Sequence, residues 1–333
     1  MAILFADGFE DTSEADYPST STSLAAGSGR FGGTALNISS TATYEQWTIP
    51  NTSTLFIHFA LSPGFLRSGY FLQLLSGSTS YVRLWKSTDG ALLVTRDTTT
   101  IGQTAPGVIP DSAYTSFQVK VVIHDTTGSV EVRLNGSSTP VLNLTNVDTK
   151  NGTNAYVTVV RLNSETTGIG GINVFFDDVV IWDTTGSVNN DWLGELRVDS
   201  YMPTADGDTV TLTPSTGTNH YALVDEVPSS ATDYNSSSTV GNKDLYQLAN
   251  MSHTPTTIKA VIAFARLMKD DAGSREMAVI AKSGTTDVEG SSIAIPASNS
   301  VRYTHIMETN PDGGGAWSKS AVDALQVGAK VTA

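Results

Sequence analysis

Tyr81, Arg83 and Trp85 alternate along Tyr81–Lys86 (YVRLWK), opposite Val82 and Leu84. At the two-residue period of a β-strand, this spacing puts two aromatic rings and a guanidinium on one face and two aliphatic side chains on the other. Sugars offer apolar C–H faces that stack on Trp and Tyr, and hydroxyls that Arg and carboxylates bind. Glu131 and Arg133 alternate in the same way against Val130, Val132 and Leu134, and are expected to point outward. The same residue types also anchor protein interfaces. These five residues are therefore read as a glycan contact or as a face packed on a second domain or a neighbouring subunit.

Nucleophilic chemistry finds little support. A hydrolytic triad needs a Ser placed against His and a carboxylate. The five histidines, at positions 58, 124, 220, 253 and 305, are scattered, and no G-x-S-x-G occurs. His58 and His124 sit within apolar runs, where a histidine commonly serves backbone groups. With no Cys, the chain has neither disulfides nor thiolate chemistry. Asn-x-Ser/Thr sequons at Asn37, Asn135, Asn143 and Asn250 arise readily by chance in a chain that is roughly a quarter Ser and Thr.

Charge narrows the partners. The 333 residues hold 19 Lys plus Arg against 33 Asp plus Glu, a net charge of -14, and both halves are acidic. Nucleic acids and anionic membranes need clustered positive charge, so neither is expected as a partner. No apolar run approaches the roughly 20 residues of a membrane-spanning helix. The start (MAILFADGFED) lacks the basic and apolar regions of a secretory signal.

The elements that must position these residues are strands. Runs of period-two alternation occur at Ile3–Phe9, Thr34–Ser39, Tyr44–Ile49, Thr54–Leu61, Tyr70–Leu75, Tyr81–Lys86 and Ala91–Arg96. They continue at Ser116–His124, Val130–Leu134, Val141–Leu144, Tyr156–Leu162 and Val174–Trp182, with Asp-Gly and Asn-Gly dipeptides between several of them. The hexapeptide DTTGSV occurs twice, at Asp125–Val130 and Asp183–Val188, as one turn sequence used twice. Residues 1–185 are read as one domain, 186–193 as a linker and 194–333 as a smaller β-sandwich. Strands there are expected at Glu195–Tyr201, Thr209–Thr213, Leu245–Asn250, Thr257–Met268, Arg275–Lys282, Val301–Met307 and Leu325–Val331. A short helix, Lys319–Asp323, would be capped by Ser318. The whole is all-β.

Asp7-Gly8-Phe9-Glu10, Gly29–Leu36 (GRFGGTAL), Phe117–Asn135 and Phe176–Trp182 (FDDVVIW) resemble the concanavalin A-like, laminin-G-like jelly-roll family. The resemblance covers about 185 residues. It implies that the last strand of this half pairs beside the first. Glycan hydrolases of that fold carry Glu-x-Asp-x-Glu or Glu-x-Asp-x-x-Glu on one strand. Neither Glu10-Asp11…Glu14 nor Asp177-Asp178 fits, so no enzyme is expected. Some members hold Ca²⁺ in acidic loops, and Asp7, Glu10, Asp11, Asp177 and Asp178 are the carboxylates that paired first and last strands would gather for it. No other cofactor is implied.

The second half is similar to bacteriophage tail, fibre or decoration proteins in Leu193-Gly194, Ala205-Asp206-Gly207, His220–Glu226, Lys269–Gly273 and Trp317…Ala324–Gly328. That resemblance implies a non-enzymatic accessory protein of the virion, assembled in the host cytoplasm and held by contacts with other virion proteins. A homo-oligomer, a trimer first, is the expected state. The alternative is an adhesin that binds a host surface glycan.

Overall fold

The computed structural model describes residues 1–10, 22–39, 44–64, 68–166, 173–297 and 301–333. It divides into two compact units, one reaching to Asp199 and the other beginning at Ser200. The first contains strands β1 (Ile3–Asp7), β2 (Thr22–Ala26), β3 (Thr34–Ile38), β4 (Tyr44–Thr52), β5 (Thr54–Ser62), β6 (Gly69–Ser76) and β7 (Thr79–Lys86). It continues with β8 (Leu92–Arg96), β9 (Thr99–Gln103), β10 (Thr115–Val122), β11 (Gly128–Leu134), β12 (Leu142–Val147), β13 (Val157–Thr166) and β14 (Val174–Asp183).

These strands form two antiparallel sheets of a jelly-roll β-sandwich. One runs β12-β11-β10-β5-β14-β3-β2, with β1 also on β14, and the other runs β4-β13-β6-β7-β8-β9. β14 pairs with β5 along one edge and is shared on the other by β3, at Val174–Phe176, and β1, at Val179–Trp182. The first and last strands of this half thus lie side by side.

Alternation sends one set of side chains from each sheet into a common core. Val130, Val132 and Leu134 are buried while Glu131 and Arg133 are half-buried on the opposite face. Phe59 of β5 stacks on Phe117 of β10 at 5.1 Å between centroids, and Phe71 of the facing sheet lies 5.2 Å from Phe117. β5 is buried on both faces, because Phe56, His58 and Ala60 are covered from outside.

What covers them is the segment after β14. Trp192 meets Phe56 edge-on at 5.4 Å, and the Trp182 indole N–H donates to the Asp191 carbonyl at 3.0 Å. Gln118 donates to the carbonyl of Gly194. Residues 186–193, expected as a linker, therefore lie within the first unit. Glu195–Tyr201, expected as a strand, is not one. Its donors go to side chains instead: Leu196 N–H to His58 Nε2 at 3.3 Å and Val198 N–H to Asp178 Oδ1 at 2.8 Å.

The second unit is a smaller sandwich. Pro203–Val210, Lys243–Leu248, Gln326–Val331, Glu276–Ser283 and Thr286–Glu289 form one sheet in that order. A ribbon of Val261–Leu267 with Val301–Met307 packs on it through Ala263, Met307, Val279, Ala281 and Val327. The run Thr257–Met268 is thus a strand, but its partner is Val301–Met307 and not the next run along the chain. Helix Lys319–Asp323 forms as expected, with Ser318 Oγ accepting from Ala321 N–H. The long stretch Val227–Asn242 is pinned at Asn235, whose side-chain amide donates to the His220 carbonyl and to Tyr246 Oη. His220 in turn bonds the fully buried Asp244 at 2.7 Å, so it is a structural histidine.

Phe117→Ala should cost about 3–5 kcal/mol of unfolding free energy by chemical denaturation. A Cβ at Gly328 would sit 1.8 Å from the Asp244 carbonyl oxygen of the neighbouring strand. Gly328→Ala is therefore expected to destabilise the second unit by about 1–3 kcal/mol or more, while leaving the first unit's transition in place.

Candidate functional site

The expected residues fall on two different faces. Arg83 and Trp85 lie on the outer face of the six-stranded sheet. There the ladder aligns Gln46 (β4), Arg161 (β13), Gln73 (β6), Arg83 (β7) and Thr95 (β8) in one row across five strands. Beside it runs a second row, in which Asn163 is paired with Tyr44 and Trp85 with Tyr70.

The rows interlock. The Arg161 guanidinium stacks on Tyr44 at 3.8 Å and that of Arg83 on Tyr70 at 4.9 Å. Tyr70 meets Trp85 edge-on at 5.0 Å. Arg83 also donates to Ser80 Oγ at 2.9 Å and to Asp97 Oδ1 at 3.0 Å. Arg161 is held between two amides, donating to Gln46 Oε1 at 2.8 and 3.0 Å and to Gln73 Oε1 at 3.4 Å. Two buried polar atoms in the aromatic row, Trp85 Nε1 and Asn163 Oδ1, have no hydrogen-bond partner among the described residues.

Tyr81 does not join this face. The β6–β7 ladder pairs Leu74 with Val82 and Leu75 with Ser80, so Tyr81 is the extra residue of a β-bulge. The bulge turns its ring into the core, where it is 1% exposed and its hydroxyl donates to the Asn154 carbonyl at 2.9 Å. Strict alternation cannot reveal a bulge, which is why the sequence put Tyr81 outside. Glu131 and Arg133 point outward as expected, but from the other sheet. Arg133 bonds Glu131 at 2.7 Å and stacks on Trp192 at 3.8 Å, so both help to seat the covering segment.

The residues missed by sequence are Tyr44, Gln46, Tyr70, Gln73, Arg161 and Asn163. They come from three strands distant in the chain, and only the pairing of β4, β13 and β6 makes them neighbours.

The carboxylates considered for Ca²⁺ gather at the break between β3 and β1, where Asp178 has φ of +53° and the ladder shifts register. Asp7, Asp177 and Asp178 are already engaged. Asp7 Oδ1 accepts from Phe9 N–H at 2.7 Å. Asp177 accepts from the N–H groups of Arg30 and Asp178, each at 2.7 Å. Asp178 accepts from Val198 N–H and from the Arg30 guanidinium at 3.4 Å. Arg30 also pairs with Glu195. A guanidinium occupies the place a cation would take, and among the described residues no group of three or more ligands is arranged for a metal. These residues do not fit calcium. Asp11 lies outside the described residues.

The same cluster is electrostatically loaded. Burial lifts Asp177 to about 6, against the pull of Arg30 and its N–H donors. Burial and the charge of Asp177 lift Asp178 to about 7. Withdrawal from water, then the charges of Asp177, Asp178 and Asp199, push the Glu10 carboxyl up as well. Burial lowers His58 to about 4, so it is a neutral ring that donates from Nδ1 to the Asp178 carbonyl at 2.8 Å and accepts at Nε2.

Solved structures similar to this chain are β-sandwich proteins of diverse kinds. The catalytic domain of a GH131 β-glucanase from Podospora anserina is 12% identical, with 56% of this chain and 93% of that one covered, at a TM-score of 0.33. The galectin LEC-6 of Caenorhabditis elegans is 9% identical, with 43% and 94% covered, at 0.28. The glycoside hydrolase family 131 catalytic domain from Coprinopsis cinerea is 15% identical, with 44% and 69% covered, at 0.30. No family model and no curated protein matches the sequence. Likeness at this level carries no activity to the chain. The expectation that the chain is not an enzyme is not upheld, since catalytic domains are among the similar structures. No helix among the described residues is long and apolar enough to cross a membrane.

Asp177 and Asp178 hold protons more tightly in the folded chain than in the unfolded one, so the stability they confer is lost as pH rises through about 6 to 7. His58 acts in the opposite sense, and its contribution is lost as pH falls from 6.5 toward about 4. Between about pH 8 and 7 the acids dominate the change, so the melting temperature should rise on mild acidification. Asp178→Asn should flatten that rise in thermal melts of the full chain.

Proposed function

We propose that the chain is a glycan-binding protein, with the outer face of the six-stranded sheet as its sugar contact. The observation that carries this reading is the double row, in which Tyr44, Trp85, Gln46, Arg161 and Arg83 reach solvent and the buried Tyr70 and Gln73 support them. Aromatic rings supply stacking surface for C–H faces, and planar amides and guanidiniums supply hydrogen bonds for hydroxyls.

The resemblance of the second half to phage virion proteins supports a place on a phage particle, where such a face would touch the host surface. On this reading, attachment to the particle is by protein–protein contacts. Assembly into a homo-oligomer, a trimer first, multiplies weak sugar contacts through linked copies.

The test is binding of the full chain to an immobilised glycan panel, followed by titration calorimetry with each ligand found. Trp85→Ala and Arg83→Ala should each weaken binding by about tenfold or more, the scale expected for an interface anchor. Glu131→Ala, on the other sheet, should leave binding unchanged. Unaltered binding in both face variants, or no glycan bound at all, overturns the proposal.

A further inference from the structure

We infer that the glycan held on this face carries a carboxylate, and that Arg161 is the residue that seats it. The inference rests on the glycan-binding reading and names the class of sugar. Its starting point is how the arginines of this unit are neutralised. Arg30 faces Asp178 and Glu195, Arg83 faces Asp97, Arg96 faces Asp148, and Arg133 faces Glu131. Arg161 is different. Its polar partners are the neutral amides of Gln46 and Gln73, and its ring partner is Tyr44. Among the described residues it makes no ion pair. In a chain of net charge -14, this half-buried cation on the sheet's outer side has no acidic counter-charge among the described residues.

The surroundings are built to keep it so. Gln46 and Gln73 flank Arg161 on the two adjacent strands, and each turns a carbonyl oxygen toward it. They fix the plane of the guanidinium without cancelling its charge. Arg83 stands one strand beyond Gln73 in the same row. Partial withdrawal from water, and then the positive charge of Arg83, hold the Arg161 pKa below its ordinary value. A bound anion would offset the repulsion from Arg83 and the cost of holding the charge half-buried. Of the five N–H groups of a guanidinium, three are donated to the two glutamines. The remaining ones are available to a planar carboxylate, the group whose geometry matches the guanidinium fork. Trp85, half-buried in the row alongside, offers ring surface on which a sugar would stack, with a carboxylate of that sugar directed along the row toward the fork. The sugar class is therefore a uronic acid or another carboxylated sugar.

The experiment uses the full chain and three uronate polymers, alginate, polygalacturonate and hyaluronan, each beside its carboxyl-reduced counterpart, with dextran sulfate as a second anion. Affinity is read by calorimetry at low salt and at about 0.5 M salt, where screening of exposed charge is strong. At least one uronate polymer should bind about tenfold or more tightly than its reduced form, the scale of a hydrogen bond to a charged group. That preference should shrink at high salt. Arg161→Gln should abolish it while leaving affinity for the reduced polymer in place. Arg161→Lys, which keeps the charge and loses the fork, should retain part of it. Trp85→Ala should weaken binding of both forms. Thermal melts of each variant establish that it is folded, and the lysine variant carries the test if the glutamine variant is not. Equal affinity for charged and reduced polymers overturns the inference and leaves glycan binding standing. So does a preference that survives Arg161→Gln, or tighter binding of dextran sulfate than of any uronate. No binding to any polymer, and none on the glycan panel, overturns both readings together.

Discussion

Two sheets that must bury one face each against the other set the terms for the first unit. Phe59 stacked on Phe117, with Phe71 and Phe176 packed around them, is the centre of that contact, joining β5, β10 and β14 to β6 of the facing sheet. Apolar burial is non-directional, but alternation makes it directional here: once these rings point inward, every second residue of the same strands points outward. Both outer faces follow from that choice, and they meet different fates.

The outer face of the eight-stranded sheet is closed by the chain's own continuation. Phe56, His58 and Trp182 are too buried to be left to solvent, and the segment from Asp191 to Val198 lies over them. That segment is not a strand, so its backbone donors must be satisfied by side chains, and buried His58 and Asp178 supply two of the acceptors. Carboxylates placed there are hard to ionise, and Arg30 offsets the burial only in part. What resembles a metal cluster in composition is thus the fastening of a covering segment, with a protonation equilibrium near neutrality as its consequence.

The outer face of the six-stranded sheet is only partly exposed, through Tyr44, Gln46, Arg83, Trp85 and Arg161, and its composition differs in kind. Its side chains are rings, amides and guanidiniums, ordered into rows by strand register. Each guanidinium stacks on an aromatic of the adjacent row, which holds it flat on the sheet, and a flat polar and aromatic surface suits a ring-shaped ligand bearing hydroxyls. One loop of logic therefore connects core, cover and open face: a single inward choice of side chains decides which sheet is sealed and which remains available.

Much of this was legible in the residues themselves. Period-two alternation located nearly every long strand of the first half, since a half-buried strand must alternate, and Ser318 announced the helix Lys319–Asp323 through its cap. Arg83 and Trp85 were visible as an outward pair for the same reason. Other features depend on what neighbours a residue after folding. Tyr81 turns inward because a bulge interrupts the β6–β7 ladder, and no local pattern marks that bulge. Glu131 and Arg133 alternate correctly, yet belong to another face, because alternation gives a side of a strand and not the sheet it joins. Arg161, Gln46 and Gln73 lie far apart in the chain and become one row only through register. The sequence by itself determined which residues face in or out along each strand, a local steric property of extended backbone. Which strands lie side by side, and hence which outward residues form one surface, was decided by the tertiary structure, because hydrogen-bonded pairing joins segments that carry no mark of their partners.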